Sequence, residues 1–246
     1  MIDMSWLLND GCYFRFRVWN SYSLLALRVL IWPRQKSIAK LYTTKKENNS
    51  FVRVCAPMVR YSRLPFRLLV REFGCDLVYT PMLISDSFIQ SDSARDADFR
   101  TNERDGPLIV QFASNKPTTF GEVARALWGH CEGIGKSACP ISILFPGLNC
   151  GCPQRWVNQL NYGDILMKQP ELLADILASA RRAVPDNEFC IELKMRVFED
   201  LSQTVELAKR AEKMGIGLLS IHGRTHSERD DPVRVNTIKV KTRRKK

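Results

Sequence analysis

The stretch that decides the fold reads Asn149-Cys-Gly-Cys-Pro-Gln-Arg-Trp156. A β-branched and apolar run precedes it, which predicts that a strand ends here and that a loop begins. Barrels built from alternating strands and helices carry their chemistry on such loops, at the carboxyl ends of the strands. Cys152 is therefore a candidate catalytic acid. Because a lone cysteine is more often a buried structural residue, the assignment depends on the segments that accompany it.

Strand-like and helix-like segments alternate on both sides of this loop. Strands are predicted at residues 51–55, 76–80, 107–113, just before 150, 190–197 and 218–221. Four helices are predicted between these strands. The first begins at Ser62 as its N-cap and ends at Gly74, and the last begins at Asp200 as its N-cap and ends at Gly215. The other two cover residues 118–130 and 171–184. A repeat of about 30 residues per βα unit favours a parallel sheet. Six units are found rather than eight, so we predict an α/β fold: an incomplete TIM (β/α)₈-type barrel.

Charge divides the chain into three parts. Residues 1–50 carry 8 Lys/Arg and 3 Asp/Glu, residues 233–246 carry 7 Lys/Arg and no acid, and residues 51–232 hold 22 basic and 23 acidic residues. The net charge of +11 thus lies in the flanks, whereas a nucleic-acid footprint needs a basic face on the folded part. We predict a poorly ordered basic extension over 1–50, a truncated barrel domain over 51–238 and a basic tail over 239–246.

The eight cysteines lack the short, repeated spacing of a secreted disulfide scaffold. We therefore expect reduced thiols in a cytoplasmic protein. A mitochondrial transit peptide in the Arg-, Ser- and aromatic-rich segment 1–50 is the alternative, although Asp3 and Asp10 count against it. The apolar run from Leu24 to Trp32 is too short to span a bilayer, so no membrane partner is expected.

A zinc site is the other use of cysteines that the pattern suggests. Cys150 and Cys152 follow His130, Cys131 and Cys139. Their C-x-C spacing is not the C-x₂₋₄-C that zinc sites normally show, so no metal is expected.

Six short segments, each at a predicted strand end, resemble the tRNA-dihydrouridine synthases, most closely the eukaryotic four-like branch. The likeness covers residues 54–134 and 148–238. The matching segments are Ala56-Pro-Met-Val-Arg-Tyr61, Tyr79-Thr-Pro-Met82, Pro107-Leu-Ile-Val-Gln-Phe112, Asn149-Cys-Gly-Cys-Pro-Gln-Arg-Trp156, Leu193-Lys-Met-Arg196 and Ile221-His-Gly-Arg-Thr225. Each is weak alone, and six in the family order make a specific signal.

The resemblance implies a flavin mononucleotide (FMN) enzyme that reduces the C5–C6 bond of uridine in tRNA to 5,6-dihydrouridine, with NADPH as the reductant of the flavin. Hydride then comes from the flavin and the proton from Cys152. The resemblance also implies which residues bind the cofactor: Pro57, Met58 and Val59 line the flavin, Gln111 offers an amide to its polar edge, Lys194 stabilises negative charge on the reduced ring, and His222 lies beside it. Arg155 and Arg196 are expected to face the RNA.

The residue types alone leave simpler interpretations open. Gln111 in an apolar strand is more often a core amide with satisfied hydrogen bonds, and His222 is compatible with an ordinary loop residue. Lys194 in a buried strand favours function, because a lone buried ammonium group is costly.

Three departures from the family pattern bear on activity. Residues 135–147 stand where the family has a single acidic residue, just before the catalytic loop, and their own 141–145 segment is compatible with a strand that shifts the register of Cys152. The likeness ends near Lys239, which predicts a C-terminal truncation without the last two barrel strands, the family's flavin-phosphate elements. The helical RNA-binding domain is also not recognised in the sequence.

Two alternatives to a tRNA-dihydrouridine synthase therefore remain open. One is a non-catalytic truncated isoform or fragment that lacks tight FMN and tRNA binding. The other is a flavin barrel that reduces a free pyrimidine or a dihydroorotate-like substrate. The Cys-Pro-Gln-Arg-Trp loop with the downstream His-Gly-Arg-Thr segment argues against the second. The modified uridine and the oligomeric state are not predicted.

Overall fold

Parallel strands and helices alternate in a computed structural model that describes residues 12–14, 27–31, 36–132 and 144–228. The predictions for the basic tail 239–246, for the end of the barrel domain, for most of segment 1–35 and for residues 133–143 lie outside the described residues. The strands are β1 Cys12–Phe14, β2 Leu27–Ile31, β3 Val54–Cys55, β4 Leu77–Tyr79, β5 Leu83–Ile84, β6 Leu108–Ala113, β7 Leu144–Cys150, β8 Glu192–Arg196 and β9 Leu218–His222. The helices are α1 Lys36–Glu47, α2 Leu64–Glu72, α3 Ser85–Gln90, α4 Asp92–Asp98, α5 Pro117–Glu132, α6 Arg155–Gln159, α7 Pro170–Ala183 and α8 Leu201–Lys213.

Six parallel strands form the half-barrel, in the order β3-β4-β6-β7-β8-β9, with the short β5 added beside β6. Neighbouring strands follow each other in sequence and are linked by helices, as in a (β/α) barrel. The predicted α/β, incomplete TIM-type fold is confirmed.

Alternation along the strands separates an inner face from an outer face. Outward side chains such as Leu108 and Val110 pack under the helices in the main apolar core. Inward side chains form a second cluster that includes Ile109 and Phe145 near the amino ends of their strands. Further along the same inner face the side chains become polar, so polar groups gather at the carboxyl ends of the strands.

Helix α1 closes the amino end of the half-barrel. Its Tyr42 is fully buried in the inner cluster together with Val52, Leu77 and Leu218. The Lys45 ammonium adds an ion pair of 2.7 Å with Asp76, at the start of β4. The floor of the barrel interior is thus supplied by a segment that precedes the first barrel strand.

Strand β2 lies beside β9 at the other end of the sheet. Residues 27–31 pair with it in antiparallel register, from Leu27 opposite His222 to Ile31 opposite Leu218, and β1 pairs with β2 in turn. The outer backbone edge of the sixth barrel strand is therefore hydrogen-bonded to a segment from the amino-terminal part of the chain.

The fourth barrel strand runs without a break into the loop that carries Cys152. Its residues 144–147 come from the segment that departs from the family pattern, and they pair in parallel with β6 from Leu108 opposite Leu144 onward. The last part of that segment therefore serves as the first half of β7.

Local predictions differ from the structure at two points. Ser62 is not the N-cap of α2: its Oγ accepts a hydrogen bond of 2.8 Å from the Met58 N–H, and the helix begins after Arg63 with Pro65 in its first turn. The strand predicted over 51–55 is reduced to Val54–Cys55. By contrast, Asp200 does cap α8, accepting from the Ser202 N–H at 2.8 Å.

Of the helices in the described residues, none is both long and apolar enough to cross a membrane.

Candidate active site

A cavity of about 190 Å³ opens at the carboxyl ends of the strands. Its apolar wall comes from the segments that follow β3 and β4, namely Ala56, Pro57, Val59 and Met82. Its polar wall comes from β6, β7, β8, β9 and the loop after β7, namely Gln111, Asn149, Gly151, Cys152, Lys194, Arg196 and His222. Segments distant in sequence meet here because parallel strands present their carboxyl ends at one edge.

Most of the side chains proposed from sequence share this cavity, and two do not line it. Met58 lies in the turn after β3, where its carbonyl accepts hydrogen bonds from the Tyr61 and Ser62 N–H groups. Arg155 is exposed at the first position of α6. Arg196 lines the cavity and is buried, so it differs from the surface residue that an outer RNA contact would require.

Asn149 organises the loop that carries Cys152. Its Oδ1 accepts hydrogen bonds from the Gly151 N–H at 3.0 Å and the Cys152 N–H at 2.9 Å, while its Nδ2 donates to Gln111 Oε1 at 2.8 Å. The Arg196 guanidinium adds a donor to the Gly151 carbonyl at 2.7 Å. These bonds turn the chain inward immediately after β7 ends.

The turn gives the two thiols of the loop different surroundings. Cys150 is fully buried in the core between sheet and helices. Cys152 is half-buried in the cavity wall, and burial raises the pKa of its thiol, an effect that the Arg196 and Lys194 charges oppose. A thiol with a raised pKa retains its proton at neutral pH, which suits a general acid better than a nucleophile.

Two cations and a neutral imidazole face the thiol. Burial lowers the pKa of Lys194 to about 8, although Glu192 acts in the opposite direction. Burial, followed by the charges of Lys194, Arg196 and Arg224, lowers the pKa of His222 to about 2. The imidazole is therefore uncharged at neutral pH, and the fixed positive charge of the cavity belongs to Lys194 and Arg196.

Two buried polar atoms at this cavity have no hydrogen-bond partner among the described residues. They are Nε2 of Gln111 and Nε2 of His222, both on residues of the cavity wall. A buried polar group without a partner is costly, and a bound water, ion or ligand can remove that cost. Gln111 is only 1 % exposed, so its Nε2 is shielded from bulk solvent.

Sequence reasoning did not single out Asn149, Met82 or Ala56 as parts of the site. All three stand in segments that carry the resemblance, so the signal was present at the level of motifs. The motif did not distinguish Asn149 from its neighbours, because the role of an amide side chain depends on which groups its oxygen and nitrogen contact in the folded chain.

The described residues bring together no group of three or more His, Cys, Asp or Glu side chains that could hold a metal ion. Cys139 and the side chains of His130 and Cys131, which the zinc alternative requires, lie outside the described part of the chain.

Fold and site together define an α/β-barrel protein of TIM type, with a thiol, an ammonium group and an imidazole at the carboxyl edge of its strands. The family model described as dihydrouridine synthase matches residues 54–245. The chain belongs to the dihydrouridine synthase family.

Curated relatives agree with the family. The chain is 42 % identical over 193 residues to a human tRNA-dihydrouridine(20a/20b) synthase [NAD(P)+]-like protein, a match that covers 78 % of this chain and 57 % of the human protein. It is 35 % identical over 207 residues to the Schizosaccharomyces pombe tRNA-dihydrouridine(20a/20b) synthase [NAD(P)+], covering 84 % and 59 %. A mouse tRNA-dihydrouridine(16/17) synthase [NAD(P)(+)]-like protein is 37 % identical over 185 residues, covering 72 % and 34 %. The chain thus spans little more than half the length of the first two relatives.

Proposed function

We propose that this chain is the barrel part of an oxidoreductase that reduces uridine in tRNA to 5,6-dihydrouridine with FMN and NADPH. One observation carries the proposal: the Cys152 thiol shares a cavity with the Lys194 side chain and the His222 imidazole. The family membership and the names of the relatives, all tRNA-dihydrouridine synthases that use NAD(P), support the substrate class.

The residues present fit the ring system of FMN. Its carbonyl and nitrogen edge needs hydrogen-bond donors, and the unsatisfied Gln111 Nε2 and the Lys194 ammonium group supply them. Pro57 and Val59, with Ala56 and Met82, offer an apolar surface to a flat ring. When bound, FMN would supply a hydride for C6 of the uracil.

Cys152 supplies the proton that this addition requires at C5. Its Sγ carries that proton at neutral pH because burial raises the thiol pKa. Proton transfer leaves a thiolate, and the positive charges of Lys194 and Arg196 favour that product. Asn149 holds the thiol in place, because its Oδ1 accepts hydrogen bonds from the backbone N–H groups of Gly151 and Cys152.

Recognition of tRNA would draw on two arginines, one in the cavity wall and one outside it. Arg196 lies in the wall, and Arg155 lies exposed on the helix that follows the catalytic loop. Phosphates attract exposed cations regardless of base sequence, so Arg155 would orient the RNA rather than read it. The buried Arg196 would act only on the part of the substrate that enters the cavity. The expected compartment is the cytoplasm, where tRNA and reduced thiols occur together.

The experiment is to purify the full chain, record its absorbance and incubate it with unmodified tRNA and NADPH. We expect yellow protein with bound FMN and the appearance of dihydrouridine in the tRNA by mass spectrometry of nucleosides. Soluble, colourless protein that takes up no added FMN and forms no dihydrouridine would support the non-catalytic fragment instead. Activity on free uridine but not on tRNA would support the free-pyrimidine enzyme.

A further inference from the structure

A buried carboxyl group lies beneath the cavity and has no part in the function proposed above. Glu192 precedes Lys194 by two positions on β8, so both side chains point into the barrel, their Cα atoms about 6.6 Å apart along the strand. The Glu192 side chain is fully buried, with 0 % exposure. A buried carboxylate needs a nearby cation or several donors to remain charged.

The two oxygens of Glu192 have unequal surroundings. Oε1 accepts a hydrogen bond of 2.8 Å from the Tyr79 hydroxyl, which lies 2.8 Å from Ser220 Oγ. Oε2 has no hydrogen-bond partner within the part of the chain that the structure describes. It lies over Gly147, where an added Cβ would come within 2.5 Å of it. The glycine in β7 therefore leaves the space that this oxygen occupies.

Lys194 stands two positions beyond this carboxyl group on the same inward face of β8. The titratable or charged groups that act on the pair are Tyr79, Tyr42, Cys150 and Cys190 around Glu192, and Arg196, His222 and Cys152 around Lys194. Arg196 disfavours the charge of Lys194, and the Glu192 carboxylate favours it. The Cys152 thiol keeps its proton at neutral pH, so it contributes no charge there.

We propose that Glu192 is a positioning residue that keeps the Lys194 ammonium group charged beneath the cavity, and so sets the upper end of the pH range in which the site holds an anionic ligand. The chemical class of that ligand, a planar ring with a negatively charged edge, rests on the proposed function. The charge coupling between the two side chains does not.

The directions of the pKa shifts agree with this geometry. Burial raises the pKa of Glu192 from 4.5 to about 7, and the Lys194 charge and the Tyr79 and Ser220 hydrogen bonds oppose the rise. Burial lowers the pKa of Lys194 to about 8, and the Glu192 charge opposes that fall. Removing the carboxylate therefore leaves burial and Arg196 to lower the pKa of Lys194 further.

The test measures Lys194 directly, in the full chain without added cofactor or tRNA. The protein is acetylated with acetic anhydride over a pH series, and the labelled fraction at Lys194 is quantified by mass spectrometry. In Glu192→Gln, which keeps an acceptor for Tyr79, we expect the labelling midpoint to fall by about one unit or more. Glu206→Gln, which removes an exposed carboxylate on α8, is the matched control and should leave the midpoint unchanged.

Tyr79→Phe is a second variant that tests the same coupling if Glu192→Gln does not fold. It keeps the carboxyl group and removes its donor, so Glu192 holds its proton to higher pH and the Lys194 midpoint falls by a smaller amount in the same direction. A midpoint unchanged in both folded variants would overturn the proposal. Because no flavin or RNA is present, that result would leave the proposed function standing, whereas colourless inactive protein with the expected midpoint shift would remove the function alone.

Discussion

At the residue scale, Cys150 and Cys152 differ in surroundings although strand alternation would place positions two apart on the same face. Cys150 obeys the alternation and lies in the outer core. Cys152 escapes it because β7 ends at residue 150 and Asn149 turns the next two backbone N–H groups inward. An amide side chain thus determines which thiol reaches the cavity.

We expect Cys152→Ala to retain bound FMN and to lose dihydrouridine formation by about 10²–10⁴-fold, the usual contribution of a positioned general acid. Cys150→Ala, whose thiol lies in the core, is the matched control and should lose far less. The measurement is dihydrouridine per tRNA under single-turnover conditions with pre-reduced protein. Equal losses in the two variants would contradict the proton-donor role.

The sequence predicted which side chains meet at the site better than how they are held there. The resemblance to the family identified Cys152, Lys194, Gln111 and His222, and all four meet at one cavity. Their catalytic and cofactor-binding roles stay predictions. Asn149 and Glu192 were not found, because the roles of an amide and a buried carboxyl group depend on partners 38 and 113 positions away in the chain.

At the element scale, the 3₁₀ turn over residues 163–168 supports the catalytic loop from outside. The Asp164 N–H donates to the Cys152 carbonyl at 3.2 Å. Gly163 has a φ of +73°, and an added Cβ would come within 2.4 Å of that same carbonyl oxygen. Both the backbone conformation and the close approach require glycine there.

Gly163→Ala should therefore displace the catalytic loop while leaving the sheet folded. We expect lower thermal stability and a loss of dihydrouridine formation beyond what the fraction of folded protein explains. The control is Gly129→Ala on α5, where an added Cβ meets no atom of the described residues within 4 Å. Comparable activity per folded molecule in both variants would contradict the role of Gly163.

Helix α2 is held to the loop before β6 by a buried ion pair. The Arg67 guanidinium donates to both oxygens of Asp105, at distances from 2.6 to 3.1 Å, and to the carbonyls of Ser62 and Arg100. Both side chains are almost fully buried. Periodicity predicted α2, but not this pair, because the partners are 38 residues apart.

Removing one partner should cost far more than breaking a surface pair. We expect Asp105→Ala to lower the free energy of unfolding by about 3–5 kcal/mol, because it leaves the Arg67 charge buried without compensation. Arg104→Ala breaks the exposed contact of 3.6 Å with Glu72 and should cost about 0–1 kcal/mol. Denaturant unfolding of both variants measures the difference, and similar midpoints would contradict the expectation.

At the scale of the whole molecule, the described residues form one half-barrel whose interior is closed below by α1 and open above at the cavity. The βα repeat predicted this architecture, because each unit must bury one apolar face against the next. It did not predict that residues 36–47 supply the floor. Tyr42 belongs to no βα unit, and its burial follows from contacts with strands that begin 12 or more residues later.

Tyr42→Ala should therefore destabilise the barrel from its base. We expect a loss of about 3–5 kcal/mol in the free energy of unfolding, as for other large buried aromatic residues. Tyr61→Ala, at a side chain that is 69 % exposed, should change it by about 0.5 kcal/mol or less. Equal shifts of the unfolding midpoint in the two variants would show that α1 does not hold the floor.

The pairing of residues 27–31 with β9 has a consequence for assembly. One row of amide and carbonyl groups can accept one neighbour, and a further barrel strand would need to join that row in parallel orientation. While residues 27–31 are paired with β9, a seventh parallel strand cannot pair with the same edge of β9. The two pairings are therefore mutually exclusive.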